Sequence, residues 1–380
     1  MMQGKQLPVE AKEYLLRMNQ AIKHRGPDDQ GSYFNIEQGV ALGHLRLSII
    51  DLSYAGHQPM IDDAGNCIVF NGEIYNYQSL KKEFATDKFH SDSDTEVLLK
   101  LYRKEGPAAL TKLNGMFAFA YYDVQNNTLQ LVRDRAGKKP LYYSMMGGVF
   151  SFSSEIKALL ELPWIKKELD EEALYHFLTY NHVDAPKTFF KNIFKLGAGE
   201  RMTVSQRGIE EIEKYYHINY SNLTNWTEKE LSDKLIKELR NSVDLRMVSD
   251  VPVGAFLSGG VDSSAVVALM REKSNGIIKT FSVGFEGQPD YDERKYAQQI
   301  AKQFNTEHFE KFVGKEDIAE FLPSVVNIFD EPMADATCIP IYFISELARQ
   351  NNTIVVQTGD GADELLGGYN SWRKYEEIYP

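Results

Sequence analysis

The run Val251-Pro-Val-Gly-Ala-Phe-Leu257 breaks directly into Ser258-Gly-Gly-Val-Asp-Ser-Ser264, after which apolar residues resume at helical spacing in "AVVALM". An apolar segment that passes through two glycines into a 3.6-residue period reads as a strand feeding a helix, Val251–Leu257 into Ser263 onward. The chain beyond repeats the alternation. "KTFSVGF", "EHFEKFV" and "NTIVVQTG" have strand character, while "SSAVVALMREK", "DERKYAQQIAKQF" and "IPIYFISELARQ" have helical character. Strands separated by helices predict a parallel sheet covered on its faces, so this part of the chain is α/β.

The first 160 residues follow a different pattern. "AKEYLLRMNQAI" puts Leu15, Met18 and Ile22 on one helical face. "ALGHLRLSII", "NCIVFNGEIYNY" and "MFAFAYYDV" are rich in aromatic and β-branched residues, and the turn Gln125-Asn126-Asn127 joins the last of them to "TLQLVRDR" as a hairpin. "SDTEVLLKLYRKEG" opens with acids and closes on Gly106, as helix ends favour. A helical start, "DEEALYHFLTY", short strands and the long helical "NLTNWTEKELSDKLIKELRNSV" lead into the alternating part. The predicted class is therefore α+β followed by α/β. A chain of 380 residues has room for two or three domains, and the change of pattern near 205–225 divides it into 1–205 and 206–380.

A formal charge of -12 argues against broad attachment to nucleic acid or an anionic membrane. The two cysteines, Cys67 and Cys338, lie far apart without metal-type spacing, which argues against a disulfide framework and for a reducing, cytoplasmic setting. "MMQGKQLPVEAKEY" has no apolar signal core, and no run of about 18 apolar residues is present to span a bilayer.

Ligands of open α/β sheets gather at the carboxyl ends of the strands. There, Gly259 and Gly260 let the backbone come close to a ligand, and the helix that follows adds partial positive charge. Ser258, Ser263 and Ser264 supply hydroxyls and Asp262 can hold Mg²⁺, so the string is a candidate pyrophosphate cradle. No Walker G-x-x-x-x-G-K-[ST] occurs. Ser-Gly-Gly-x-Asp-Ser instead resembles the PP-loop of ATP pyrophosphatases, which implies cleavage between the α and β phosphates. "QTGDGADELLGGY" again runs from a strand into glycines, with Asp360, Asp363 and Glu364 placed to meet phosphates through Mg²⁺. Val283, closing "FSVGF", is a candidate contact for adenine or ribose. A lone Ser-Gly-Gly would read as a glycine-rich helix cap and the acidic loop alone as a solvated turn, but the whole string behind a strand, with both loops on one sheet edge, favours the phosphate reading over both.

"HRGPDD", "RLSIIDLS", "NGEIYNY", "SDTEVLL", "LNGMFAFA" and "RDRAGKKPLYY" occur in that order, followed by "SGGVDSS", "FSVGF", "DEPMADATCIP" and "TGDGADELLGGY". Together they resemble the glutamine-hydrolysing asparagine synthetases over nearly the whole chain. The resemblance implies a class II glutamine amidotransferase domain with a four-layered αββα sandwich of the N-terminal-nucleophile-hydrolase type, then a PP-loop ATP-pyrophosphatase domain. It implies glutamine, aspartate and ATP as substrates, ATP and Mg²⁺ as cofactors, a β-aspartyl-AMP intermediate, and a homodimer as the assembly to look for. Arg46 would grip the glutamine α-carboxylate, Glu73 and Asp94 its α-ammonium, and Asn71 with Gly72 would form the oxyanion hole. Outside such a pattern, Arg46 and Asp94 read as surface charges and Asn71-Gly72 as a hairpin turn.

On the synthetase side, Leu257, Val283, Thr358 and Gly359 match ATP-contacting positions, and Asp262 and Asp363 match the Mg²⁺–pyrophosphate positions. Asp360 stands where some relatives carry Glu in a role in adenylation, and its side chain is one methylene shorter. The family's nucleophile is an N-terminal cysteine whose own amine is the base. Here "MMQGKQLPVE" carries none, and Cys67 reads as a packed thiol. The chain as written is expected to bind glutamine poorly and not to hydrolyse it. By the family pattern both ends read as cut, leaving an internal fragment of a full enzyme or the product of a damaged gene. Two other readings keep the fold: an amidotransferase acting on a cell-surface sugar or natural-product acceptor, and a non-catalytic nucleotide-binding descendant.

Overall fold

The computed structural model describes residues 2–3, 7, 9–84, 87–219, 221, 224–287, 292–369 and 372. Two compact units divide the chain, Met1–Leu223 with Val326–Ala334, and Thr224–Val325 with Asp335–Pro380. The contact division falls at 223 and assigns Val326–Ala334 to the first unit, where the sequence pattern drew a single cut at 205/206.

In the first unit the strands are β1 (Met2–Gln3), β2 (Asp29–Asn35), β3 (Val40–Arg46), β4 (Met60–Ile61), β5 (Cys67–Ile74), β6 (Gly115–Asp123), β7 (Thr128–Arg133), β8 (Tyr142–Met146), β9 (Val149–Ser153), β10 (Phe194–Lys195), β11 (Glu200–Ser205) and β12 (Gly208–Lys214). They form two antiparallel six-stranded sheets, β10-β8-β9-β1-β3-β2 and β12-β11-β7-β6-β5-β4. Alternation along "MFAFAYYDV" explains how the sheets stack. Ala118, Ala120 and Tyr122 join Leu42, Val69, Phe150 and Met202 in the core between the sheets, while the rings of Phe119 and Tyr121 pack edge-on against Tyr102.

Tyr102 belongs to α3 (Asp94–Glu105), which with α2 (Tyr77–Lys81) covers one outer face. On the other, α1 (Ala11–Ala21) and α4 (Ile156–Leu159) bury Leu15, Met18, Ile156 and Leu159 against Ala41 and Val149. The result is the expected αββα order of layers. A further helix, α5 (Glu171–Tyr180), starts at Asp170, whose carboxylate accepts from the Glu172 and Ala173 N–H groups.

The second unit contains α6 (Glu228–Arg246), β13 (Val253–Phe256), α7 (Val261–Lys273), β14 (Lys279–Phe285), α8 (Arg294–Phe304), β15 (Glu307–Val313), α9 (Lys315–Ile328) except its last turn from Val326, α10 (Cys338–Gln350), β16 (Val355–Gln357) and α11 (Ala362–Leu366). Its sheet is wholly parallel in the order β15-β14-β13-β16. Val243, Ala255, Val267, Met270, Ala297 and Ala301 tie α6, α7 and α8 to one face, and Phe281 with Ile344 and Ala348 ties α10 to the other. From β13 the chain steps outward to β14 and β15, then returns to add β16 on the opposite side of β13. That reversal opens a crevice at the carboxyl ends of β13 and β16, where doubly wound sheets bind their ligands.

Candidate functional site

A pocket of about 170 Å³ in the first unit is lined by Arg46, Asn71, Gly72, Glu73 and Asp94 together. Strand alternation carries them there: Leu42 enters the core between the sheets, and His44 and Arg46, two and four residues on, reach the pocket. Asn71, Gly72 and Glu73 are not a hairpin turn. They sit inside β5, paired with Ala118, Phe117 and Met116 of β6. Gly72 has φ +152, and a Cβ there would lie 2.0 Å from the Met116 carbonyl oxygen, so only glycine fits. Asp94 occupies the first turn of α3, capped by Ser93, whose Oγ accepts from the Thr95 N–H at 3.1 Å.

The electrostatics of the pocket follow from burial. Arg46 is not a surface charge. It is 7% exposed, and its guanidinium donates to the carbonyls of Ser53 at 3.0 Å, Ile50 at 3.1 Å and Asp51. These bonds occupy one Nη1–H and both Nη2–H groups and leave Nε–H and one Nη1–H, which lie on different edges of the guanidinium. Desolvation pushes the Asp94 carboxyl up to about 6, against hydrogen bonds from Ile74, Thr95 and Ser93 that pull it down. The Ile74 N–H donates to Asp94 Oδ2 at 2.8 Å. Asn71 Nδ2 is buried with no hydrogen-bond partner among the described residues, a donor held ready for an oxygen that the fold does not supply.

In the second unit both glycine-bearing loops leave the carboxyl edge of the parallel sheet, after the neighbouring strands β13 and β16. Gly259 has φ +85, and a Cβ on it would meet the Ala297 nitrogen at 2.5 Å. A Cβ on Gly359 would meet the Ser263 nitrogen at 2.9 Å and the Asp262 Cβ at 3.0 Å, so the two loops touch. Asp262 and Asp363 lie in the first turns of α7 and α11.

Sequence comparison then places the chain. The pattern of the glutamine amidotransferase domain matches residues 3–216, and that of asparagine synthase matches residues 234–379. A Methanocaldococcus jannaschii protein carrying the name glutamine-hydrolysing asparagine synthetase 2 is 41% identical over 379 residues, covering 94% of this chain and 73% of its own. The chain belongs to the glutamine-hydrolysing asparagine synthetase family. A Bacillus subtilis member, asparagine synthetase 1, is 40% identical over 98% of this chain and 58% of its own length. A Gibberella zeae relative with a different name, amidase chry2, is 30% identical over 93% of this chain and 54% of its own.

For a member of the asparagine synthetase family, the second-unit loops have a division of labour that the sequence did not reveal. Ser258 and Ser263 spend hydroxyls on each other: their Oγ atoms are 3.0 Å apart, and Ser258 Oγ also accepts from the Gly260 N–H at 3.2 Å. They shape the turn. Ser264 Oγ, by contrast, is buried without a partner among the described residues. Gly260 gives α7 no side-chain cap, so the helix turns uncapped N–H groups toward the crevice. Leu257 is 1% exposed with its side chain in the α7–α8 core, which leaves only its backbone for a nucleotide. Val283 sits near the carboxyl end of β14, partly buried against the α10 side. Asp360 is exposed and accepts from Thr358 Oγ1 at 2.9 Å.

No group of three or more His, Cys, Asp or Glu shaped for a metal occurs among the described residues. Mg²⁺ is an ion commonly held by one or two carboxylates plus phosphate oxygens and water, and Asp262 and Asp363 are the residues that would hold it here. Cys67 is fully buried between the sheets with its thiol pushed up by desolvation, a packed residue and not a nucleophile.

The amidotransferase pocket also contains residues that sequence reasoning passed over: Arg25, His44, Gln58, Thr95 and Lys139. His44 was findable, since it precedes Arg46 by one strand repeat. Lys139 lies within "RDRAGKKPLYY", but only the fold shows that burial in the pocket lowers its pKa. Gln58 had no local signal. It reaches the pocket wall by pairing with the Phe70 backbone, accepting from its N–H at 2.7 Å and donating to its C=O at 3.3 Å.

Proposed function

We propose that this chain carries the glutamine-binding and ATP-adenylating sites of glutamine-dependent asparagine synthesis, in which aspartate and ATP react through β-aspartyl-AMP with pyrophosphate, AMP and glutamate as co-products; the thiol nucleophile of glutamine hydrolysis is not supplied by the buried Cys67. The observation that carries the reading is the apposition of the two glycine loops at the switch point of the parallel sheet, Gly359 against Asp262 and Ser263. There the N–H groups of the Ser258–Ser264 turn and the start of α7 cradle the phosphates, and Leu257, Val283, Thr358 and Gly359 flank the nucleoside. Bound between Asp262 and Asp363, Mg²⁺ would neutralise the departing pyrophosphate. Asp360 stands beside the reacting carboxylate. In the first unit Arg46 holds the glutamine α-carboxylate, and Glu73 and Asp94 hold its α-ammonium. Asn71 Nδ2 and the Gly72 backbone stabilise the oxyanion, a contribution of about 2.7–4 kcal/mol per donor in comparable sites.

No helix among the described residues is long and apolar enough to cross a membrane. The reading puts the protein in the cytoplasm, with small-molecule substrates and no nucleic-acid partner, and a homodimer is the assembly that light scattering should find. The deciding experiment is ATP–pyrophosphate exchange on the purified chain with Mg²⁺. Exchange that depends on aspartate is the expected result. Exchange driven by another acid but not by aspartate would move the reading to a different acceptor. No exchange with any acid would reject adenylation altogether.

A further inference from the structure

We infer that His44 is the residue by which the amidotransferase pocket tells a primary amide from an ester or a carboxylate. The inference rests on the glutamine reading of that pocket and deepens it.

The argument begins with the tautomer. His44 Nε2 lies 3.0 Å from the Phe70 carbonyl oxygen. A carbonyl can only accept, so Nε2 carries the proton and Nδ1 carries the lone pair. Burial pulls the imidazole down to about 4, so the ring stays neutral throughout the working pH range. Gln58 fixes the Phe70 peptide from both sides, accepting from its N–H and donating to its C=O, which in turn fixes the ring. His44 Nδ1 is left buried with no partner among the described residues. A buried acceptor without a donor is costly and rare, and calls for an explanation.

The explanation lies one residue beyond Phe70. Asn71 Nδ2, a donor, is also buried and unpartnered, and both side chains line the same pocket. A free donor and a free acceptor on residues lining one pocket are together the complement of a –C(=O)NH₂ group. The amide oxygen accepts from Asn71 and an amide N–H donates to His44. An ester offers no N–H, and a carboxylate turns a second acceptor against the His44 lone pair. Glutamate, the product of hydrolysis, is therefore held less tightly than glutamine, which favours its release. No other residue in the reading given above addresses the amide nitrogen.

The test is calorimetric binding of L-glutamine, L-glutamate and L-glutamate γ-methyl ester to the unaltered chain, to His44→Phe and to His44→Asn. The unaltered chain should prefer glutamine to the ester by roughly 10- to 100-fold. His44→Phe keeps a flat ring but no acceptor. It should lose at least about tenfold in glutamine affinity while ester affinity changes by less than about twofold. His44→Asn, which restores an acceptor near the Nδ1 position, should recover most of the preference, and it keeps the test alive if the phenylalanine variant fails to fold. Equal losses for glutamine and ester, or no loss for either, would overturn the assignment alone. If the unaltered chain binds no glutamine, the reading of the pocket fails and takes this assignment with it.

Discussion

Burial holds the Asp94 carboxyl at about 6, well above the ordinary carboxylate range, and this has opposite consequences for the empty fold and for ligand binding. Because the folded state binds the proton more tightly than the unfolded chain does, the group's contribution to stability is fully present below about pH 4. It is lost as pH rises through about 6. The ionised form is the one that can receive an α-ammonium. Glutamine affinity should therefore climb with pH to a plateau above about 6 and fall roughly tenfold per unit below it, as read by calorimetry across pH 5–8. Asp94→Asn removes the buried charge. It should raise the melting temperature of the empty chain at neutral pH and weaken glutamine binding roughly 100-fold. A variant that melts lower and binds normally would show that the carboxylate is structural. Of the charged residues in this pocket, Arg46, Glu73 and Asp94 were singled out in the sequence, whereas Arg25 and Lys139, in equally recognisable strings, were not. Gln58 was not, because its role is set by a tertiary contact with Phe70 that no local pattern announces.

At the scale of elements, the strand–turn–helix of β13 and α7 depends on one backbone position. Gly259→Ala would force a side chain into a left-handed conformation and against the Ala297 backbone, at a cost of about 1–3 kcal/mol. Urea melts should show that loss, and pyrophosphate exchange should fall with it; unchanged exchange would mean that the turn does not shape the phosphate site. Elements with strong periodicity, such as α1, α3, α6 and the β6–β7 hairpin, were readable from sequence. Their ends moved by a few residues: the strand predicted over Val251–Leu257 spans Val253–Phe256, and the helix predicted from Ser263 begins at Val261. Helix α9 was missed altogether. It carries Pro323 in its interior and buries only Phe321, so sequence shows a breaker and little apolar face where the fold keeps a helix. Asn71-Gly72, a turn-former in isolation, lies in the strand read from "NCIVFNGEIYNY", held there by eight residues of in-register pairing between β5 and β6.

For the molecule as a whole, the telling segment is Val326–Ala334, the last turn of α9 and the loop after it, which packs within the first unit. Asp330 Oδ2 accepts from the Ile156 N–H at 2.5 Å and Asp330 pairs with Lys157 at 3.4 Å, while Glu331 accepts from the Phe189 N–H at 2.9 Å and pairs with Lys195 at 3.0 Å. Both carboxylates are mostly shielded from water, at 10% and 15% side-chain exposure, so their charges act with little screening. The double variant Asp330→Asn, Glu331→Gln should lower stability by about 2–4 kcal/mol. It should also speed amide exchange at Ile156 and Phe189; exchange as slow as in the unaltered chain would mean the carboxylates contribute nothing there. The amidotransferase half is accordingly unfinished when translation passes residue 223, and two of its backbone donors wait for acids encoded about a hundred codons later. Recombination that grafts this half onto a foreign partner must carry the Asp-Glu pair along, or the graft starts life with a fault in its wall.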